Sequence, residues 1–89
     1  MKSVATRRFW ELFDALPVDV QKLAVKNYRL WRENPKHPSL RFRLLQGSKD
    51  RFTIRIGDHY RALGRLDSKT ITWIWIGTHA EYDQLVSSM

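Results

Sequence analysis

Residues 51–83, RFTIRIGDHYRALGRLDSKTITWIWIGTHAEYD, read as three consecutive β-strands that run into a short helix. Phe52, Ile54 and Ile56 alternate with Arg51, Thr53 and Arg55, the period of two expected of a strand with one buried face. Gly57 and Asp58 break the run. A three-residue loop, Gly57 to His59, sets Ile56 opposite Tyr60, Arg55 opposite Arg61 and Ile54 opposite Ala62, so that like faces meet like. A two-residue loop would place Ile54 opposite Arg61 and scramble both faces. The next turn falls at Ser68-Lys69, and the same counting predicts the pairs Leu63 with Ile74, Ala62 with Trp75 and Gly64 with Trp73. The core face is then Phe52, Ile54, Ile56, Tyr60, Ala62, Gly64, Ile71, Trp73 and Trp75. The opposite face carries Thr53, Arg55, Arg61, Leu63, Arg65, Thr72, Ile74 and Ile76, with His79 just past the strand end.

Two arginines directly opposite each other are an unfavourable cross-strand pair, by a few tenths to roughly 1 kcal/mol. Stability alone does not select them. Either the guanidinium groups meet carboxylates from elsewhere, or Arg55 and Arg61 form a fork for an anion such as phosphate, whose geometry arginine matches well.

The rest of the chain bounds the choice. Its 89 residues make one domain, 1–89, with a modest core given bulk by four Trp, four Phe and three Tyr. Cysteine is absent, so neither a disulfide framework nor a cysteine-rich zinc site is available. MKSVATRRFW places two arginines where a signal peptide needs its apolar region, and no run reaches membrane-spanning length; the expected location is cytoplasmic, with no membrane partner. A formal charge of +7 and a pI near 10.3 imply a polyanionic partner, either nucleic acid or an acidic protein segment.

Upstream of the strands, Thr6 can cap a helix in which Phe9, Leu12, Phe13 and Leu16 make one apolar stripe. The residues before Thr6 give weak support for a short edge strand. Pro17 ends the first helix and suits the first turn of a second, with Val20, Leu23, Ala24, Asn27, Tyr28 and Trp31 at helical spacing. The two helices make a hairpin whose stripes cover the Trp73 and Trp75 face of the sheet. Asn34-Pro35-Lys36-His37-Pro38 stops the second helix, and a lone histidine between prolines in a loop reads as structural or incidental. Leu40, Phe42 and Leu44 alternate with Arg41 and Arg43, predicting a further strand that brings both arginines to the side of Arg55 and Arg61. Lys49, on the polar loop Gln46 to Asp50, leans over the same surface. A final helix starts near Thr78 and carries Glu81, Tyr82, Leu85 and Val86, closing one end of the sheet over Ile74 and Ile76. The expected fold class is α+β: a small antiparallel sheet, a helical hairpin on one face and a short C-terminal helix.

The chemistry left to such a face is narrow. His37, His59 and His79 have no metal-ligand spacing, no glycine-rich phosphate loop is present, and no serine sits in a nucleophile elbow; no metal or cofactor is expected. The remaining constellation suits metal-free RNA cleavage, in which a ribose 2′-hydroxyl attacks the adjacent phosphate. Such a site needs proton transfer and cations for the charge on the phosphorane. Histidine changes charge near neutral pH, which makes His79 the natural proton-transfer group. Arg55 and Arg61 would hold the scissile phosphate, with Arg41, Arg43, Lys49 and Arg65 as further RNA-binding residues. Tyr82, one turn past His79, could stack on a base. A histidine at a strand end is also compatible with a purely structural role.

The order helix, helix, four strands, helix, with IRIGDHYRALG followed by WIWIGTHAEYD, resembles the RelE/ParE superfamily of toxins from type II toxin-antitoxin pairs. LPVDVQKLA followed by NPKHPSLRF resembles its helical hairpin and loop, and the likeness spans Phe9 to Leu85. The resemblance implies a small sheet with two helices on one face and a concave basic face left open. It also implies a cognate antitoxin that lays an initially disordered segment over the toxin. In the RelE-like branch the open face cleaves messenger RNA on the ribosome; in the ParE-like branch the same fold poisons DNA gyrase. Arg61 resembles the family arginine at the scissile phosphate, His79 falls where some ribosome-dependent members have a catalytic histidine, and Arg55 and Arg43 fall near positions that are often basic. The lysines prominent in RelE itself are arginines here or absent. No aromatic residue follows Tyr82 in the way some relatives place one. The expectation is a ribosome-dependent, metal-independent endoribonuclease toxin acting on messenger RNA. The alternatives are a ParE-like gyrase inhibitor and a catalytically silent homologue that binds antitoxin.

Overall fold

The computed structural model describes residues 1–88. Strand β1 (Lys2–Ala5) is followed by helices α1 (Arg7–Asp14) and α2 (Val18–Glu33), a 3₁₀ turn (Pro38–Leu40), strands β2 (Arg43–Leu44), β3 (Arg51–Ile56), β4 (Tyr60–Asp67) and β5 (Thr70–Thr78), and helix α3 (His79–Ser87). The five strands form one sheet in the order β1-β5-β4-β3-β2. The expected edge strand exists and runs parallel to β5, making the sheet mixed; every other pair is antiparallel.

Thr6 caps α1 by accepting the Phe9 N–H on its hydroxyl at 3.1 Å. Proline at position 17 fixes the start of α2. In the core, Trp31 on α2 meets Trp73 on β5 edge to face, with centroids 5.3 Å apart and planes at 76°, and Leu40, Ile54, Ile56, Ala62 and Ile71 surround them. Asn27, on the inner stripe of α2, donates its side-chain amide to the Arg55 carbonyl at 3.1 Å and ties the helix to β3. Between the helices and the sheet lies an apolar cavity of about 210 Å³ whose lining includes Phe9, Trp10, Phe13 and Tyr28.

The β3–β4 register is the one the faces dictate: Ile56 with Tyr60, Arg55 with Arg61, Ile54 with Ala62. The β4–β5 register departs from simple alternation. Gly64 pairs with Trp73 as expected, but Leu63 pairs with Trp75 and Ala62 with Ile76, which leaves Ile74 as an extra residue in a β-bulge. One inserted residue reverses the faces beyond it. Ile76 is therefore in the core, 1% exposed, and Trp75 stands on the opposite face. The expected assignments of Trp75 to the core and of Ile76 to the space under α3 are both corrected by this bulge.

A second correction concerns residues 40–44. Leu40 is fully buried at the end of a 3₁₀ turn, and Arg41 takes the left-handed conformation with φ 48°. Only Arg43 and Leu44 pair with β3. Pro38 at the start of the turn and a cap from His37, whose Nδ1 accepts the Ser39 N–H at 3.2 Å, outweigh the alternating pattern. His37 has the structural role its loop position suggests.

Candidate functional site

The face of the sheet away from α1 and α2 carries Arg43, Arg51, Thr53, Arg55, Arg61, Leu63 and Arg65, placed there by register, with α3 at its β5 side. Two arginine pairs lie directly across from one another, Arg51 with Arg65 and Arg55 with Arg61.

The carboxylates that compensate them are local. Asp50 reaches Arg51 at 3.6 Å and Arg65 at 3.4 Å, which neutralises much of the first pair. In the second pair Arg55 forms an ion pair with Asp58, and its Nε donates to the Gly57 carbonyl at 3.1 Å. Arg55 thus folds back on its own turn. Arg61 donates to the Tyr60 carbonyl at 2.8 Å and, among the described residues, has no carboxylate within ion-pair distance. Burial and the neighbouring Arg55 hold its guanidinium below the usual arginine range. Arg41 adds to the depression, while Tyr82 and Asp83 oppose it. Arginine does not give up its proton near neutral pH, so Arg61 stays charged while partly removed from water and next to a second cation. An anion bound there would compensate that charge.

Tyr82 and Asp83 are close enough to act on Arg61 because α3 starts immediately after β5, and Gly77 of β5 pairs with Arg61. Thr78 caps α3 in a reciprocal box. Its hydroxyl accepts the Glu81 N–H at 3.1 Å, and the Glu81 carboxylate accepts the Thr78 N–H at 3.0 Å. His79 is the first residue of the helix, with its backbone N–H bonded to the His59 carbonyl at 2.7 Å. Its imidazole Nε2 lies 3.5 Å from Asp83 Oδ2, and its ring stacks on Tyr82 with centroids 6.2 Å apart and planes at 18°. Helical spacing accounts for both contacts, at i+3 and i+4.

The structure therefore brings Arg61, Arg55, Arg41, His79 and Tyr82 together. Arg43 lies on the same face, opposite Thr53 at the far edge. Arg65 is also on that face but is shared with Arg51 by Asp50. Lys49 is exposed on the loop beside Asp50. Two residues of the site escaped sequence reasoning. Asp83 was legible as the i+4 partner of His79; Trp75, 6.3 Å from Tyr82, was hidden by the bulge. Among the described residues no group of three or more His, Asp or Glu side chains is placed to hold a metal ion, and no helix is long and apolar enough to cross a membrane.

The fold matches solved toxins at low sequence identity. A chain of the RelB-RelE antitoxin-toxin complex from Methanococcus jannaschii superposes with a TM-score of 0.75 at 13% identity, over 92% of this chain and 96% of that one. A mutant of the Escherichia coli toxin RelE in the free state gives 0.70 at 22%, over 98% and 90%. The YoeB/ParE toxin from Agrobacterium tumefaciens gives 0.69 at 18%, over 89% and 99%. No curated protein matches the chain in sequence. The family model of the ParE-like toxin domain matches residues 18–84, from the start of α2 into α3, and includes every arginine and aromatic residue of the open face. The chain belongs to the ParE-like toxin domain family.

Proposed function

We propose that the protein is the toxin of a type II toxin-antitoxin pair and acts as a ribosome-dependent endoribonuclease on messenger RNA. One observation carries this reading: Arg61 is half-buried, has no carboxylate within ion-pair distance among the described residues, and feels Arg55, Arg41, Tyr82 and Asp83, the last two of which contact His79. An uncompensated guanidinium beside a histidine suits a phosphate that must gain charge and exchange protons.

In this mechanism the scissile phosphate sits on Arg61, with Arg41 adding positive potential. The ribose 2′-hydroxyl attacks phosphorus, its proton passes to a base, and the bond to the 5′-oxygen breaks as that oxygen is protonated. The products are a 2′,3′-cyclic phosphate and a free 5′-hydroxyl. His79 performs proton transfer, and Asp83 holds its ring, as a carboxylate does for other catalytic imidazoles. Arg55 joins only when an anion displaces Asp58. Arg43, Lys49 and Arg65 bind flanking phosphates, which makes RNA affinity fall with salt.

The partner is an antitoxin with an acidic segment complementary to the same face. Solved relatives include RelB-RelE complexes, which supports a partner of this kind. A second reading, inhibition of DNA gyrase, is favoured by the ParE-like description of the family itself. It gives the proton-transfer group at His79 no task.

Primer extension on a messenger in a bacterial translation extract separates the two, using wild-type protein, His79→Ala and Arg61→Ala. Cuts that require a translating ribosome and vanish in both variants are the expected result. If no cuts appear and gyrase supercoiling is blocked instead, the gyrase reading replaces it.

A further inference from the structure

The Ile74 bulge gives the open face an indole. Trp31 and Trp73 fill the core at 1% and 5% exposure, whereas Trp75 is half-buried on the other side of the sheet, opposite Leu63. Its ring runs along β5 over Gly77. A Cβ at position 77 would lie 2.6 Å from Cζ2 and 2.9 Å from Cη2 of the indole, so only glycine lets the ring lie flat there. Gly77 is also the residue paired with Arg61. Tyr82 borders the indole at 6.3 Å with planes at 44°, and His79 in turn stacks on Tyr82 at 6.2 Å. The outcome is an aromatic shelf of Trp75, Tyr82 and His79 beside Arg61, which has no carboxylate within ion-pair distance among the described residues.

One departure from regular strand structure and one missing side chain build this shelf. Without the extra residue Trp75 would point into the core, and a side chain at Gly77 would push the ring away. An aromatic plane next to an uncompensated guanidinium matches a nucleotide: phosphate on the cation, base on the ring.

We propose that Trp75 is a base-stacking residue that receives the unpaired nucleobase adjoining the phosphate held by Arg61. The proposal rests on the open face being the RNA site and specifies how one nucleotide is held there. Stacking reads area rather than hydrogen-bonding edges, so the contact tolerates any base and favours purines. Trp75 acts by positioning: it fixes the sugar beside the base, and with it the direction from which the 2′-hydroxyl approaches phosphorus.

The test uses ribosomes programmed with short synthetic messengers. Each is intact or has a stable abasic nucleotide on one side or the other of the scissile phosphate, with the attacking 2′-hydroxyl kept. Single-turnover cleavage is measured for wild type, Trp75→Phe and Trp75→Leu. In wild type, loss of the base at one of the two positions slows cleavage on the order of tenfold or more. In Trp75→Leu the intact-to-abasic ratio falls to near one, and in Trp75→Phe most of it remains. Because a ratio is read, partial loss of folded protein does not produce this pattern, and the wild-type comparison needs no variant. Equal rates on intact and abasic messengers for wild type, or undiminished discrimination by Trp75→Leu, would overturn the role of Trp75 and leave the nuclease reading intact. Absence of cleavage of every messenger by wild type would overturn that reading, and this proposal with it.

Discussion

Arg55 and Arg61 face each other across β3 and β4, but among the described residues Arg55 alone of the two has a carboxylate partner, Asp58. The asymmetry assigns different work to two residues that look equivalent in sequence. Arg61→Ala should reduce RNA cleavage and growth arrest by about 10²- to 10³-fold, the effect of removing one preorganised donor from a developing negative charge. It should not cost stability, because it removes one member of a like-charge cross-strand pair worth up to about 1 kcal/mol. Growth curves on induction and a thermal melt check both halves. A large drop in melting temperature would mark Arg61 as structural instead.

Asp58 is expected to restrain the site. Asp58→Asn frees Arg55 at a cost of about 1 kcal/mol or less, since the carboxylate is mostly solvent-exposed. Released, Arg55 can take a further phosphate. The slope of log affinity for single-stranded RNA against log salt should then steepen by about 0.7, the value for one added phosphate contact on a single strand. An unchanged slope in a filter-binding titration would mean that Arg55 does not reach RNA.

The capping box of α3 predicts a pH dependence. Hydrogen bonds from the Thr78 backbone and then its hydroxyl hold the Glu81 carboxyl below the usual carboxylate range. Because the folded-state value is the depressed one, the stabilisation is fully present above the unfolded-state value of about 4.3 and is lost as pH falls through the folded value. Thermal melts of wild type against Glu81→Gln should therefore converge on acidification below about pH 4.3. Thr78→Ala should cost about 1 kcal/mol at neutral pH and loosen His79 with the helix start. Melting curves that differ equally on both sides of this range would show that the ionised carboxylate contributes nothing.

Gly64→Ala tests the packing under Trp73. A Cβ there would lie 2.9 Å from Ile71 Cδ1 and Cγ1 and from Trp73 Cε3, and both residues are almost fully buried. Overpacking of this kind costs about 1–3 kcal/mol. At about 4–8 °C per kcal/mol for a domain of this size, calorimetry should show the change clearly. A shift below about 2 °C would indicate that the core relaxes around the methyl group.

How much of this was legible follows from where the faces differ in polarity. In β3 arginine and threonine alternate with phenylalanine and isoleucine, so a slip by one residue would bury charge, and the short turn at Gly57 to His59 excludes longer slips; the register so chosen is the one found. In TITWIWIG, by contrast, tryptophan and isoleucine alternate, both apolar. A slip by one residue leaves the hydrophobic pattern unchanged, and nothing in residues 70–77 marks Ile74 as the bulge. The stretch from Leu40 to Leu44 fails differently: its alternation is real, but Arg41 takes a left-handed conformation that glycine or asparagine would have announced. Arg61, Arg55, His79 and Tyr82 were legible as neighbours because turn and helix spacing set their places. The confinement of Arg55 by Asp58 and the indole on the open face required side-chain positions.

The parallel pairing of β1 with β5 also sets the order of events during synthesis. Lys2 to Ala5 pair with Thr70 to Trp73, Ser3 Oγ accepts the Trp73 indole N–H at 3.1 Å, and the Thr6 N–H bonds to the Trp73 carbonyl at 3.0 Å. Lys2 to Ala5 thus find their partners only after β5 has emerged. Helix α1, anchored on β5, waits with them. Such long-range closure slows folding. A nascent chain stalled before residue 70 lacks β5 and α3 and so has no completed open face, which means that this site exists only after the strand that closes the sheet has been made.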